Sequence, residues 1–565
     1  IADKVKDGPW KAGCYPADDF SEIAAGLIWR VLGSPHAVDR WRAAHCIRRF
    51  AKFGRWDIID RIVAAFGTKT AVPFQAPELV FYYLHARLWL LIALARVALD
   101  HPDQVLRYKD LLLAVITEKD DPHVLMRHFA ASALLACVDS GKLTLDAVTV
   151  RIVRNANKSP YPRLQKKSRN GGGFYQGRPR SVPEPPFRFY LEYDFKKHDV
   201  DSLGQVFGKG CWEIDDLISD VVQKLDPSIT HMDEDGGRET PVRNSREMTT
   251  RLHGYGQQLG WHALFIAAGK LLVAHPITDD WWYEDDPWGE WLGRYVLTRK
   301  DGLWLSDGTD RTPKDASVRL LESKKNGFAI TGDQKKIMGL AGLDIQKGVG
   351  RELIVQGRWY SSDGVEIGLS SALVPPKKAK QFARKLIREK PMLAWVPTFQ
   401  GVEDDDEYLR SDKKEYSPWI VCPSGEIRLD EHDPYGVSVA NFRPYLAQDY
   451  SEFCKLTRQD AFGSFWINNR GTPSLRAQAW GRDETNRENG PHPGLRLLCK
   501  SSVLKKVLTK YDKELLLLFD LQRYEKETYR SSGRFSHSIG VVRIDKSLNM
   551  EYFKGRVNYP NKLDW

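Results

Sequence analysis

The feature that most constrains this chain is self-similarity near its start. Shifting the sequence by 87 positions lays Ser34-Pro35-His36-Ala37-Val38 on Asp121-Pro122-His123-Val124-Leu125. The same shift puts Arg40 on Arg127, Ala43 and Ala44 on Ala130 and Ala131, Ile47 on Leu134 and Phe50 on Cys137. Half that shift, ~43 residues, brings Ala43 onto Ala86 and Ile47 onto Leu90, so three units fit. Apolar residues recur at three- and four-residue spacing through Trp41–Phe53, Ile58–Phe66, Leu79–Leu99, Val105–Ile116 and Val124–Val138, which predicts helices separated by Gly, Pro and Asp breaks. Two helices per unit at a period in the low forties is the HEAT and armadillo range. The expectation is an N-terminal α-solenoid over residues 1–157, with Ala43, Ala44, Ile47, Ala86, Leu90, Ala130, Ala131 and Leu134 buried between helices. An irregular helical bundle is the alternative.

Residues 154–186 break the pattern. They are basic and rich in Gly and Pro, with Gly171-Gly172-Gly173 and Val182-Pro183-Glu184-Pro185-Pro186, so 158–186 reads as a linker or long loop. A mixed, mainly helical domain is expected over 187–328: Phe187–Phe195 alternates like a strand, while Ile214–Leu225 and Tyr255–Ala274 read as helices. From 329 to 565 the pattern turns to strands, at Glu352–Tyr360, Val365–Leu373, Trp419–Cys422, Leu515–Phe519 and Ser538–Ile544, with helices at 376–388 and 499–511. The fold class is therefore multidomain: a helical solenoid, a mixed unit and an α+β C-terminal region. At 565 residues the chain exceeds one ordinary hydrophobic core.

Seven cysteines are scattered with no pair closer than 32 residues, which favours a reducing, cytoplasmic setting over a disulfide framework. The longest apolar run, Leu88 to Ala95, falls short of a membrane span and is flanked by Arg87 and Arg96. Composition is globular, at 42% hydrophobic and 28% charged, and a net charge of +10 is mild for a dedicated nucleic-acid binder. The chain opens at Ile1 without an initiator Met, which reads as a piece of a longer polypeptide.

Enzyme signatures are missing: there is no GxxxxGK[ST], GxGxxG, HExxH, GxSxG or kinase pattern. Glu431-His432-Asp433 and Pro491-His492-Pro493 are the nearest approaches to metal-ligand spacing, and the first reads as a polar turn beside Pro434-Tyr435-Gly436. No metal and no cofactor is expected in this chain. Trp261-His262 reads as a core aromatic beside a hydrogen-bonded histidine.

Between Thr278 and Trp291 the chain holds Trp281, Trp282, Trp288, Trp291 and Tyr283 among Asp279, Asp280, Glu284, Asp285, Asp286 and Glu290. Carboxylates this dense steer a basic partner, chelate a cation or serve as acid–base pairs, and Trp is enriched at binding hot spots. The simplest reading is that Trp281, Trp288 and Trp291 anchor the segment to its own domain while the acids stay solvated. The partner-binding candidates are Asp279, Asp280, Trp281, Trp282, Glu284, Asp285, Asp286, Trp288 and Glu290. A carboxylate-dependent hydrolase using 279–290 is the enzymatic alternative. Arg523, Tyr524, Lys526, Tyr529 and Arg530 interleave cations with aromatics and are nucleic-acid candidates, although Glu525 and Glu527 between them fit an exposed strand better.

Taken in order, Trp41-Arg42-Ala43-Ala44-His45, Asp199-Val200-Asp201-Ser202-Leu203-Gly204-Gln205-Val206-Phe207-Gly208, Gly260 through Gly269, Asp286-Pro287-Trp288 and Leu303-Trp304-Leu305-Ser306-Asp307-Gly308-Thr309 resemble the C-terminal part of large bacterial STAND-type NTPases of the antiphage-defence kind. None of these motifs is a catalytic signature. The resemblance implies a repeat-rich sensor that recognises a foreign protein and drives oligomerisation. ATP would then bind only in upstream domains, and a protein partner is favoured over nucleic acid or membrane.

Overall fold

A carboxylate starts the first described helix. Asp19 Oδ1 accepts from the Ser21 amide at 2.8 Å, and the helix Phe20–Leu32 follows. The structure, a computed structural model, describes residues 19–68, 79–165, 178–191, 195–229, 255–279, 286–296, 298, 302, 304–324, 327–388, 399–400, 416–422, 443–481, 494–526 and 533–562. The chain divides into two compact units, Ile1–Leu303 and Trp304–Trp565.

Helices of seven residues or more are numbered in chain order. The first unit carries α1 (Phe20–Leu32), α2 (Ala37–Lys52), α3 (Trp56–Ala64), α4 (Phe81–Asp100), α5 (Lys109–Thr117), α6 (Val124–Asp139) and α7 (Ala147–Arg154). It continues with α8 (Asp201–Phe207), α9 (Cys211–Leu225), α10 (Tyr255–Ala274) and α11 (Pro287–Gly293). Of the three helices that the sequence shift superimposes, α4 packs against both α2 and α6. Ala43, Ala44, Ile47, Ala86, Leu90, Ala130, Ala131 and Leu134 are all buried, as small residues at equivalent positions require when helices approach closely.

The α2–α4 contact is reciprocal. Trp41 and Trp89 meet edge to face at 5.0 Å, Arg40 lies over Trp89, and Arg96 lies over Trp41. Helix α4 is long and apolar enough to cross a membrane, but most of its side chains are buried inside the unit, as in a core helix. Helix α10 is apolar all round and packs on α4, α6 and α9.

The described part of the expected strand Phe187–Phe195, residues 187–191, is not in a strand. Phe187, Phe189 and Leu191 do point inward alternately, but the Phe189 amide donates to Ser219 Oγ on α9 at 3.0 Å instead of to a ladder, and Phe195 leads into a π-turn over Lys196–Val200. Within 158–186, the pair Leu164–Gln165 bonds in parallel to Thr278–Asp279.

In the second unit the chain builds a nine-stranded, wholly antiparallel sheet. Its strands are β1 (Glu352–Tyr360), β2 (Glu366–Val374), β3 (Thr457–Arg458), β4 (Phe465–Ile467), β5 (Pro473–Trp480), β6 (Gly494–Lys500), β7 (Glu514–Lys526), β8 (Gly533–Ile544) and β9 (Met550–Lys562). Their spatial order is β3-β4-β5-β6-β1-β2-β7-β8-β9. The continuous apolar run at the start of β7 is explained by burial on both faces. Leu515, Leu517, Phe519 and Leu521 join the core under α13 (Ser501–Tyr511). Leu516 and Leu518 meet Ala379, Phe382, Ala383 and Leu386 of α12 (Pro376–Leu386) on the other face.

Candidate functional site

The acidic tryptophan segment ends on a rigid element. Pro287 occupies the first turn of α11, and the Asp286 carbonyl accepts from the Glu290 amide at 2.9 Å. Trp288 and Trp291 stack at 5.4 Å between ring centres. The Trp288 indole donates to the Asn157 carbonyl at 2.8 Å and the Trp291 indole to the Asp199 carbonyl at 3.4 Å. Trp288 is only 5% exposed, which corrects the expectation that it meets a partner: it anchors the segment. Asp286 and Glu290 are exposed, and Asp286 faces Arg163 at 3.2 Å. The Asp279 backbone pairs with Gln165, while its side chain and Asp280, Trp281, Trp282, Glu284 and Asp285 lie outside the described residues.

Desolvation acts on a different carboxylate. Asp199, in the π-turn, is pushed up to about 6 by burial, and its Oδ1 accepts from the Tyr295 hydroxyl at 2.7 Å. Nearby, Lys196 Nζ donates to Asp215 at 2.8 Å in a buried ion pair, which Arg188 joins at 3.3 Å from a more exposed position.

Of the nucleic-acid candidates, Arg523 alone has a described side chain. Arg523 is half-buried on β7, and the Tyr524 and Lys526 side chains lie outside the described residues. Tyr529 and Arg530 also lie outside them, as do Glu431-His432-Asp433 and Pro491-His492-Pro493. Among the described residues no group of His, Cys, Asp and Glu is placed to hold a metal ion.

Sequence spacing does not reveal a buried chain of three histidines. His85 of α4, His123 ahead of α6 and His262 of α10 come from positions 38, 139 and 177 apart in pairs. His262 Nε2 lies 2.8 Å from His85 Nδ1, and His262 Nδ1 lies 3.0 Å from His123 Nε2. His85 Nε2 lies 2.7 Å from Gln258 Oε1. Because the two nitrogens of His262 reach two different rings, the three do not converge on one point as metal ligands must. The sequence signal is faint: His262 lies in an otherwise apolar helix, where a polar ring needs a partner.

No known protein family matches the chain, and no curated protein matches it.

Proposed function

We propose that this chain is the protein-recognition region of a larger bacterial defence NTPase, a HEAT-like helical scaffold that binds a foreign protein and thereby triggers assembly. The scaffold part is supported by α4 packing against both α2 and α6 at the repeat spacing, with small residues between them. One observation carries the recognition part. The acidic tryptophan segment is fixed at its C-terminal end by two buried, stacked indoles, while Asp286 and Glu290 on the same short helix stay exposed. A partner gains from such an arrangement because the carboxylates steer a basic surface and the anchored helix holds them with little loss of entropy on binding.

In this reading ATP binds upstream domains, and this chain alone does not bind it, since it carries no phosphate-cradling loop. Affinity capture with the full chain from infected and uninfected cells tests the proposal. A foreign protein retained only from infected cells, and lost at raised salt, is the expected outcome. Recovery of the same proteins from both, or ATP binding in the micromolar range by calorimetry, overturns it.

A further inference from the structure

The hydrogen-bond chain through the first unit has a direction set at both ends. At one end the Met126 amide can only donate, and it donates to His123 Nδ1 at 3.3 Å. At the other end the Pro35 carbonyl can only accept, and Gln258 Nε2 donates to it at 3.4 Å. Those two ends dictate every proton between them. His123 carries its proton on Nε2 and donates to His262 Nδ1, His262 donates from Nε2 to His85 Nδ1, and His85 donates from Nε2 to Gln258 Oε1. Each ring is thus neutral, in the same tautomer, with both nitrogens used.

A further proton has no place in the closed chain. On any Nδ1 it sets two N–H groups facing each other and puts a charge on a buried ring. The charges that act on His262 are the other two rings, on α4 and ahead of α6, and Arg40 on α2. Arg40 is itself buried and donates to the Ser34 carbonyl at 2.6 Å. From α9, which also packs on α10, Asp215 is engaged by Lys196 and Arg188, and Lys224 by Asp121 at 2.8 Å. On α6, Arg127 donates to the Glu118 carbonyl.

We propose that His85, His123 and His262 form an acid-release latch: α10 stays docked on α4 and α6 while the rings are neutral, and it undocks cooperatively when the opened rings take up protons from solvent. Burial holds His123 down to about 3 and His262 well below its ordinary range, so neither charges while docked. Once open, each ring titrates near its ordinary value of about 6.5. The sign follows: the latch is fully closed above that value and weakens as pH falls through it. Three rings make the opening constant rise by up to about 1000-fold per pH unit below pH ~5.5, or roughly 10⁴-fold between pH 7 and 5.

Hydrogen exchange of the purified full chain, read on α10 amides and corrected for the intrinsic pH dependence of exchange, tests this. The expected plot of log opening constant against pH has a slope of minus two to minus three below pH 6. His123→Asn keeps the helix cap, because Asn also accepts from the Met126 amide. It removes one protonation site, so the slope falls by about one. A slope of minus one or shallower, an unchanged slope in His123→Asn, or one slope shared by every helix of the unit overturns the proposal. So does ¹⁵N NMR at pH 7 showing a charged or Nδ1-protonated ring among the three.

Discussion

Replacing Gly269 with Ala tests how closely α10 approaches the turn before α6. In a helix interior this substitution ordinarily stabilises by about 0.8–1 kcal/mol, because Gly loses more backbone entropy. At Gly269 the new Cβ would stand 2.8 Å from the carbonyl carbon and 3.0 Å from Cβ of Pro122, with the carbonyl oxygen closer still. The obstacle is backbone, so relief requires α10 to move away, and overpacking of that kind costs about 1–3 kcal/mol. Such movement would also stretch the His123–His262 contact, since His123 follows Pro122 and His262 lies two turns before Gly269. The net expectation is a loss of up to about 2 kcal/mol. Gly26 in α1 is the control: nothing lies within 4 Å of its added Cβ, so Gly26→Ala should stabilise by the full propensity gain. Thermal unfolding of both variants, at about 2–4 °C per kcal/mol, resolves the two signs. If Gly269→Ala raises the melting temperature as Gly26→Ala does, the close approach is wrong.

Trp288→Ala should cost about 3–5 kcal/mol of stability of the first unit, because it empties a buried, stacked site and leaves the Asn157 carbonyl unpaired; a melting temperature within 1–2 °C of the parent would contradict its anchoring role. Asp199→Asn should stabilise by about 1–3 kcal/mol at pH 8 and by little at pH 4. The raised acid is penalised only where it is ionised, from its ordinary range upward through about 6, so an equal gain at both pH values would refute the desolvation argument. Lys196→Met should destabilise by about 3 kcal/mol or more by stranding the Asp215 carboxylate, whereas Arg188→Ala should cost under about 1 kcal/mol; chemical denaturation of the two variants checks the ranking.

Much of the secondary structure was legible from periodicity alone. The expected helix Tyr255–Ala274 is found with those bounds, and Pro376–Leu386 and Ser501–Tyr511 lie within the ranges read for them. The eight residues expected in the helix–helix contacts of the first unit are buried, because small residues at a fixed repeat spacing have few other uses. Phe187–Phe195 misled because alternation reports which side chains face inward, not what the backbone bonds to; here one amide bonds to the Ser219 hydroxyl. In β7 only the doubly buried start, Leu515–Phe519, stood out, and the strand runs on through the polar residues to Lys526. Trp288 looked the same as its neighbours in sequence, since composition cannot distinguish an indole that anchors from one that meets solvent. The histidine chain was hidden for a different reason. Its members come from two helices and the N-cap of a third, and only tertiary packing joins a ring at 85 to rings at 123 and 262.

The recognition claim is tested most directly at Trp282, with the protein captured from infected cells as ligand. Trp282→Ala should weaken its binding by about 30-fold, the effect of a hot-spot truncation of about 2 kcal/mol, with the melting temperature unchanged and the remaining affinity still falling with salt through the association rate. Wild-type affinity in Trp282→Ala, or a loss of binding that follows only from unfolding, would contradict the assignment of this acidic tryptophan segment as the recognition surface.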